Sequence, residues 1–109
     1  MKINNPPLLN IYPSVQSTPV RSIGTRYQNL LDIPLYVVIT LYSSAPSANQ
    51  VTAHCADDDT PSTQVAVFQQ NATVHPEKGV ISFIVLPNFY YKLVLYAWSV
   101  VIDSLIEWY

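Results

Sequence analysis

Residues 26–42 read RYQNLLDIPLYVVITLY, and the second half of this stretch predicts a long β-strand. From position 35 the side chains alternate between two faces: Leu35, Val37, Ile39 and Leu41 on one, Tyr36, Val38, Thr40 and Tyr42 on the other. The alternation, and the abundance of β-branched and aromatic residues, favour a strand over a helix. Both sets are largely apolar, so we expect the second face to be covered too, by a second sheet or by a partner.

Further strand-like segments lie on both sides of this stretch. A first short strand is expected over residues 20–27, where Gly24 permits a bulge or bend, and later strands over residues 51–56, 64–68, 80–86 and 90–98. The segment 51–56 is expected to pair back on the long strand as a hairpin, and Gly79 suits a turn in front of residues 80–86. The last residues fit either a helical stripe or a closing strand from about position 102, and we choose the strand. The pattern predicts an all-β fold, an antiparallel β-sandwich or jelly roll.

The chain is expected to divide at about residue 19. Residues 1–19 contain four prolines, which remove backbone donors and favour extended geometry, so this segment is predicted to be an extended arm in front of a β-sandwich domain at residues 20–109. The arm contains several apolar residues, whereas a flexible linker would be rich in Ser, Gly or charged residues. These apolar residues include Leu8, Leu9, Ile11 and Tyr12. The arm either packs on its own domain or reaches a neighbouring subunit.

The composition narrows the classes of partner. The 109 residues suffice for one domain, half of them are apolar and 11% are charged. A small monomer normally carries more charge, so we expect part of the surface to be buried against other chains. The net charge of −2 and the five scattered Lys and Arg residues offer no basic stripe for nucleic acid. Residues 93–101, the longest apolar run, are about half a membrane span, and no signal peptide is recognisable, so no membrane partner is expected.

No catalytic, metal or cofactor site is predicted, and the chain is not expected to be an enzyme. His54, His75, Asp57 and several serines can be combined into a triad on paper, but no nucleophile-elbow sequence is present. The acidic run at residues 57–59 lacks the spacing and the glycine of a calcium loop. His54 and Cys55 are adjacent, so in a strand they point to opposite faces. Cys55, the single cysteine, is expected in the core of a protein assembled in a reducing compartment.

The aromatic residues give the most information about binding, because they outnumber those needed to fill the core. Some should fill the core, and others should form a subunit or capsid interface, where Tyr and Trp are enriched. An aromatic platform for sugars is the competing interpretation. The predicted interface residues are Leu8, Leu9, Ile11, Tyr12, Tyr36, Tyr42, Tyr90, Trp108 and Tyr109.

Three stretches together resemble small β-sandwich modules of tailed bacteriophages. They are Arg26-Tyr27-Gln28-Asn29 followed by Pro34-Leu35-Tyr36-Val37; ISFIV at residues 81–85 with Pro87 and Tyr90-Tyr91; and Ile106-Glu107-Trp108. The resemblance spans about residues 21–109 and omits the arm. The chain departs from the pattern at Asn88-Phe89, where a glycine-bearing turn is expected.

Such modules occur as tips of tail fibres and as free-standing proteins that decorate capsids. Here the module fills nearly the whole chain without a shaft or coiled-coil segment, which favours decoration. The resemblance therefore implies a virion structural protein, a capsid decoration or cement protein on the phage-head exterior, assembled in the host cytoplasm. Its implied partners are the major capsid protein and itself, as a dimer or trimer. The alternative is a tail-associated module that binds a receptor or glycan.

Overall fold

The computed structural model describes residues 13–43, 49–70, 77–96 and 100–109. Within these ranges every secondary-structure element is a β-strand. No helix long and apolar enough to cross a membrane is present among these residues. The eight strands are β1 (Gln16–Ser17), β2 (Arg26–Gln28), β3 (Leu35–Ser43), β4 (Asn49–Ala56), β5 (Thr63–Gln70), β6 (Glu77–Val85), β7 (Tyr90–Tyr96) and β8 (Val100–Trp108).

The strands form two antiparallel sheets of four. The first sheet has the order β1-β8-β3-β6, and the second sheet has the order β2-β7-β4-β5. The pairs are nested, β1 with β8, β2 with β7, β3 with β6 and β4 with β5, as if one long hairpin had been rolled up. This nesting is the arrangement of a jelly roll. The prediction of an all-β antiparallel sandwich is confirmed.

The core lies between the two sheets, and β3 is its centre. Along β3 every second residue is buried, as the alternation in the sequence predicts. Val37, Ile39 and Leu41 are fully buried between the sheets, and β4 and β7 contribute facing residues such as Val51 and Leu93. The pairing of β3 on both sides, with β6 and β8, places it in the interior of the first sheet.

Two predictions about strand position and pairing are wrong. The segment 51–56 does form a strand, β4, but it does not pair back on β3; it lies in the second sheet between β5 and β7. The alternation of apolar residues indicates which face is buried, and it carries no information about which strand is the neighbour. Of residues 20–27, expected to form a single strand, only Arg26 and Tyr27 lie in a strand, β2; the bend expected at Gly24 is present, with φ at 91°.

Gly79 is not a turn residue. It lies inside β6, opposite Leu41 of β3. A Cβ atom at this position would run into the ring of Phe68, which is buried in the core. The glycine therefore serves the close approach of an aromatic ring to the backbone of a strand.

A buried asparagine joins two loops at one end of the sandwich. The Asn29 amide nitrogen donates to the carbonyl oxygens of Ile33 and Val85 at 3.0 and 2.9 Å, and its Oδ1 accepts from the Leu31 backbone at 3.0 Å. The Asn88 backbone nitrogen donates to the Asn29 carbonyl at 2.8 Å. Asn88 itself has φ at 68°, a left-handed conformation that asparagine tolerates better than most residues, so it takes the place of the expected glycine.

A charged network ties the two sheets together near the C-terminus. Glu107 of β8 is buried, and Arg21 donates to both of its carboxylate oxygens at 3.0 Å. The hydroxyl of Tyr91, from β7 in the second sheet, donates to the same carboxylate at 2.6 Å. Burial and the hydrogen bond to Glu107 raise the pKa of Tyr91 well above its ordinary value, so the hydroxyl stays a donor. The Arg21 guanidinium also lies 4.4 Å from the centre of the Tyr27 ring.

The predicted arm lies largely outside the described residues. Residues 1–12, with Leu8, Leu9, Ile11 and Tyr12, belong to that part of the chain. Its last residues are described, and Gln16 and Ser17 pair with Trp108 and Glu107 in the first sheet.

Candidate binding surface

The outer side of the first sheet is built from the second set of alternating residues in β3 and its neighbours. Cross-strand pairing arranges these side chains in four rows across β8, β3 and β6. The rows are Trp108, Tyr36 and Ile84; Ile106, Val38 and Ser82; Ser104, Thr40 and Val80; and Val101, Tyr42 and Lys78. We call its eight large apolar members the apolar face: Tyr36, Val38, Tyr42, Val80, Ile84, Val101, Ile106 and Trp108.

No described strand packs on the apolar face. Val80, Val101 and Ile84 are 64%, 55% and 49% exposed, and Tyr36 and Trp108 are half-buried by their neighbours. An open groove of about 560 Å³ lies along the part formed by β3 and β6, with Tyr36, Val38 and Ile84 in its wall. Of the two covers expected for the second side of β3, a second sheet is therefore excluded among the described residues.

The charged groups on the outer side of this sheet lie toward one end. Lys78 of β6 forms an ion pair with Asp103 of β8 at 3.1 Å, next to the row that contains Tyr42. The opposite end, with Trp108, Tyr36 and Ile84, is aromatic and aliphatic. Exposed apolar residues continue around this end in the loops that flank β3 and β6; they are Leu30, Ile33 and Leu86.

The outer side of the second sheet has a different chemistry. The same pairing rule places mostly polar residues there: Arg26, Gln28, Gln50, His54, Gln64, Gln69 and Lys92. Val67, which is 43% exposed, shares a row with Thr52 and Val94, and Tyr90 and Tyr96 also lie on this side. The two outer sides are therefore unequal, and a solvated sheet normally resembles the second.

The structure brings together three of the predicted interface residues. Tyr36, Tyr42 and Trp108 share the apolar face, and Tyr36 lies directly opposite Trp108. Tyr90 lies on the outer side of the second sheet, opposite Gln28 and Ala56. Tyr109 packs against the core, and its carbonyl accepts from the backbone of Ser14 and Val15. Leu8, Leu9, Ile11 and Tyr12 lie outside the described residues.

The prediction missed the aliphatic part of the apolar face. The five aliphatic members outnumber the three aromatic ones, and none was among the predicted interface residues: Val38, Val80, Ile84, Val101 and Ile106. For Val80 and Ile84 the signal is in the sequence VISFIVL, since its buried members Ile81, Phe83 and Val85 leave the alternate residues outside.

The polar residues considered for chemistry are dispersed. His54 Nε2 lies 2.8 Å from the hydroxyl of Thr52, and His75 lies outside the described residues. In the acidic loop, Asp58 accepts from the Thr60 backbone at 2.9 Å, and Asp59 lies 3.8 Å from Arg26. Among the described residues no three His, Cys, Asp or Glu side chains are grouped to hold a metal ion. The absence of an enzymatic role remains a prediction.

Cys55 is buried, and this burial raises the pKa of its thiol to about 11. At neutral pH the thiol is therefore protonated, and it packs in the core as a small apolar residue.

The area of the apolar face limits how strongly it can bind a partner through a single contact. Its three long strands have nine residues each, which gives a surface of about 14 by 30 Å, or roughly 400 Å² in projection. Apolar patches of about 300–600 Å² on small proteins are often functional. A stable complex usually buries about 800 Å² on each partner, so the face supplies roughly half of a standard interface.

Comparison of the chain with protein-family models, with curated proteins and with solved structures finds no match.

Proposed function

We propose that the protein is a structural component of a virion, a capsid decoration or cement protein that attaches through the apolar face. The observation that carries this proposal is the contrast between the two sheets, one with an outer side of eight large apolar residues and the other with an outer side on which polar residues predominate. Exposed, contiguous apolar surface of this kind marks a site that another protein covers. The partners in this proposal are the major capsid protein and further copies of the chain.

The fold is compatible with this role without determining it. Jelly rolls serve as capsid proteins, as sugar-binding lectins and in other roles, so the site has to carry the functional argument. The resemblance of residues 26–37, 81–91 and 106–108 to phage sandwich modules favours a virion role, on the head or on the tail. In the fold, these segments supply the Asn29 loop, parts of strands β3, β6 and β8, and four of the eight residues of the apolar face.

Weak individual contacts suffice for this function. An interface of about half the standard area binds weakly as a single contact. On a capsid the same contact recurs at every lattice position, and copies that also touch one another bind with a high effective concentration. The chain therefore stabilises the shell by bridging subunits, with no chemical step.

A sugar-binding role is the second candidate, and Tyr90 favours it. This ring lies on the polar outer side of the second sheet, opposite Gln28, whose amide nitrogen donates to the Asn88 carbonyl at 3.0 Å. A half-buried ring with an amide group beside it is suited to stacking against a sugar and bonding its hydroxyls. In this alternative the protein is a tail-associated module that recognises a host glycan.

Imaging intact particles separates the two roles. We expect density for this chain to repeat over the icosahedral shell of the head, on its outer surface. Density restricted to the tail, together with shifts of the Tyr90 resonances on addition of host polysaccharide, would establish the second role instead. Absence of the chain from purified particles would refute both.

A further inference from the structure

The outer edge of β8 is largely without a strand partner in the described part of the chain. β1 is two residues long and pairs with Trp108 and Glu107 alone. From Val100 to Ile106, no described strand pairs with β8 on the side away from β3. An open edge of this length presents backbone donors and acceptors to which an extended segment can add.

A groove runs along this edge. It has a volume of about 420 Å³ and lies between residues 18–21 and residues 102–106. Its walls are mainly apolar: Pro19 and Val20 on one side, Ile102, Leu105 and Ile106 on the other. Val20 is 93% exposed where it lines the groove. The Asp103 carboxylate is paired with Lys78, so it is already compensated.

We propose that the β8 edge binds residues 8–12 of a second copy of this chain as an added antiparallel strand. These residues read LLNIY and lie between Pro7 and Pro13, so all five retain the backbone N–H that a sheet requires. The open run from Ile102 to Ile106 is also five residues long. The added strand runs in the same direction as β1, which is antiparallel to β8 on the same edge.

The side-chain pattern of the segment fits the edge over residues 104–106, on the Ile106 side of the bulge at Asp103. With Asn10 opposite Ser104, Leu9 lies opposite the buried Leu105 on the core side of the sheet. Leu8 then lies opposite Ile106 and extends the apolar face by one strand. A continuous sheet and a wider apolar face follow from the same contact.

The geometry of β1 requires the segment to come from another copy. In β1, Gln16 pairs with Trp108 and the next residue, Ser17, pairs with Glu107. The backbone nitrogens of the preceding Ser14 and Val15 donate to the Tyr109 carbonyl at 3.0 and 2.7 Å. The chain thus enters β1 from the Tyr109 end, beyond the end of β8. To reach Ile102–Ile106 of its own domain, the segment of residues 8–12 would have to turn back at Pro13 and pass the β1 strand of the same chain.

Disulfide trapping between two variants tests the contact without any capsid. One copy carries Asn10→Cys and an affinity tag, and the other carries Ser104→Cys, whose side chain is exposed. The matched control replaces Ser104→Cys by Gln69→Cys, an exposed position on β5 in the second sheet. The native Cys55 is buried in all variants. Under mild oxidation we expect at least tenfold more mixed disulfide with Ser104→Cys than with Gln69→Cys.

Equal yields from the two positions would overturn the proposal. An intramolecular disulfide at high dilution, in a chain that carries both Asn10→Cys and Ser104→Cys, would also overturn it. As a second measurement, Leu9→Asp with Ile11→Asp should weaken self-association in sedimentation by at least tenfold while the melting temperature of the sandwich stays unchanged. Self-association that persists unaltered in this variant also contradicts the proposal. Because no capsid is present, neither result depends on the proposed function.

Discussion

Removing Arg21 should leave a carboxylate buried without its cation, and Arg21→Met is the substitution that does this with the least loss of packing. In the native protein the guanidinium donates to both oxygens of Glu107 at 3.0 Å. The side chain of Glu107 is 6% exposed and that of Arg21 is 26% exposed. Methionine retains an unbranched apolar stem, so the change acts mainly on the charge.

The cost can be estimated from this geometry. Breaking a buried ion pair by removing one partner costs about 3–5 kcal/mol, because the remaining charge is uncompensated. Since about a quarter of the Arg21 side chain already contacts water, we expect the lower end, about 3 kcal/mol. A domain of this size has a total stability of roughly 5–15 kcal/mol. The loss should lower the melting temperature by about 12 °C.

Denaturant unfolding followed by circular dichroism measures the effect, and a double variant tests its cause. Arg21→Met with Glu107→Gln should be more stable than Arg21→Met alone by at least about 1 kcal/mol, because the buried charge is gone while the amide oxygen still accepts from Tyr91. A double variant no more stable than Arg21→Met would refute the reasoning.

Three further predictions concern single positions. Gly79→Ala should destabilise the fold by about 1–3 kcal/mol in denaturant unfolding, because the new methyl group displaces the buried ring of Phe68; a neutral result would contradict the close approach. Asn88→Gly should be nearly neutral and Asn88→Val should cost about 1–2 kcal/mol, because φ at 68° excludes a β-branched residue; equal melting temperatures would count against this. With its pKa at about 11 against an ordinary 9.0, Cys55 should react with a thiol reagent at pH 8 about 100-fold more slowly in the folded than in the unfolded chain. The stability contributed by its neutral form should be present below about pH 9 and lost as the pH rises toward 11, because the unfolded chain ionises first; unfolding data flat over this range would contradict it.

The strands that the sequence predicts well are those with one fully buried set of residues. β3 is the clearest case, because burial of every second side chain leaves a period of two that no other structure shares. The pairing of strands is not encoded in this way. β4 has the pattern of a hairpin partner for β3, yet the chain crosses to the other sheet before β4 begins.

The candidate surface was predictable only in part, because alternation assigns a residue to one side of its strand but does not identify the neighbouring strands. The sequence assigns Tyr36 and Tyr42 to one side of β3, but their neighbours depend on pairing with β8 and β6, which only the fold supplies. Tyr90 belongs to the other sheet, and an aromatic residue carries no signal of the sheet to which it belongs. The network of Arg21, Tyr91 and Glu107 joins positions far apart in the chain, so no local pattern reveals it.

A matched pair of lysine substitutions tests the proposal that the apolar face attaches the protein to its partner. Ile84→Lys places a charge on the apolar face, and Val67→Lys places the same charge on the outer side of the second sheet, at positions 49% and 43% exposed. Both variants should keep the native melting temperature within a few degrees. In binding to phage heads assembled without this protein, Val67→Lys should match the native chain, whereas Ile84→Lys should bind about 100-fold more weakly, because an aliphatic contact is lost and an ammonium group is desolvated. Equal binding by the two variants would contradict the claim.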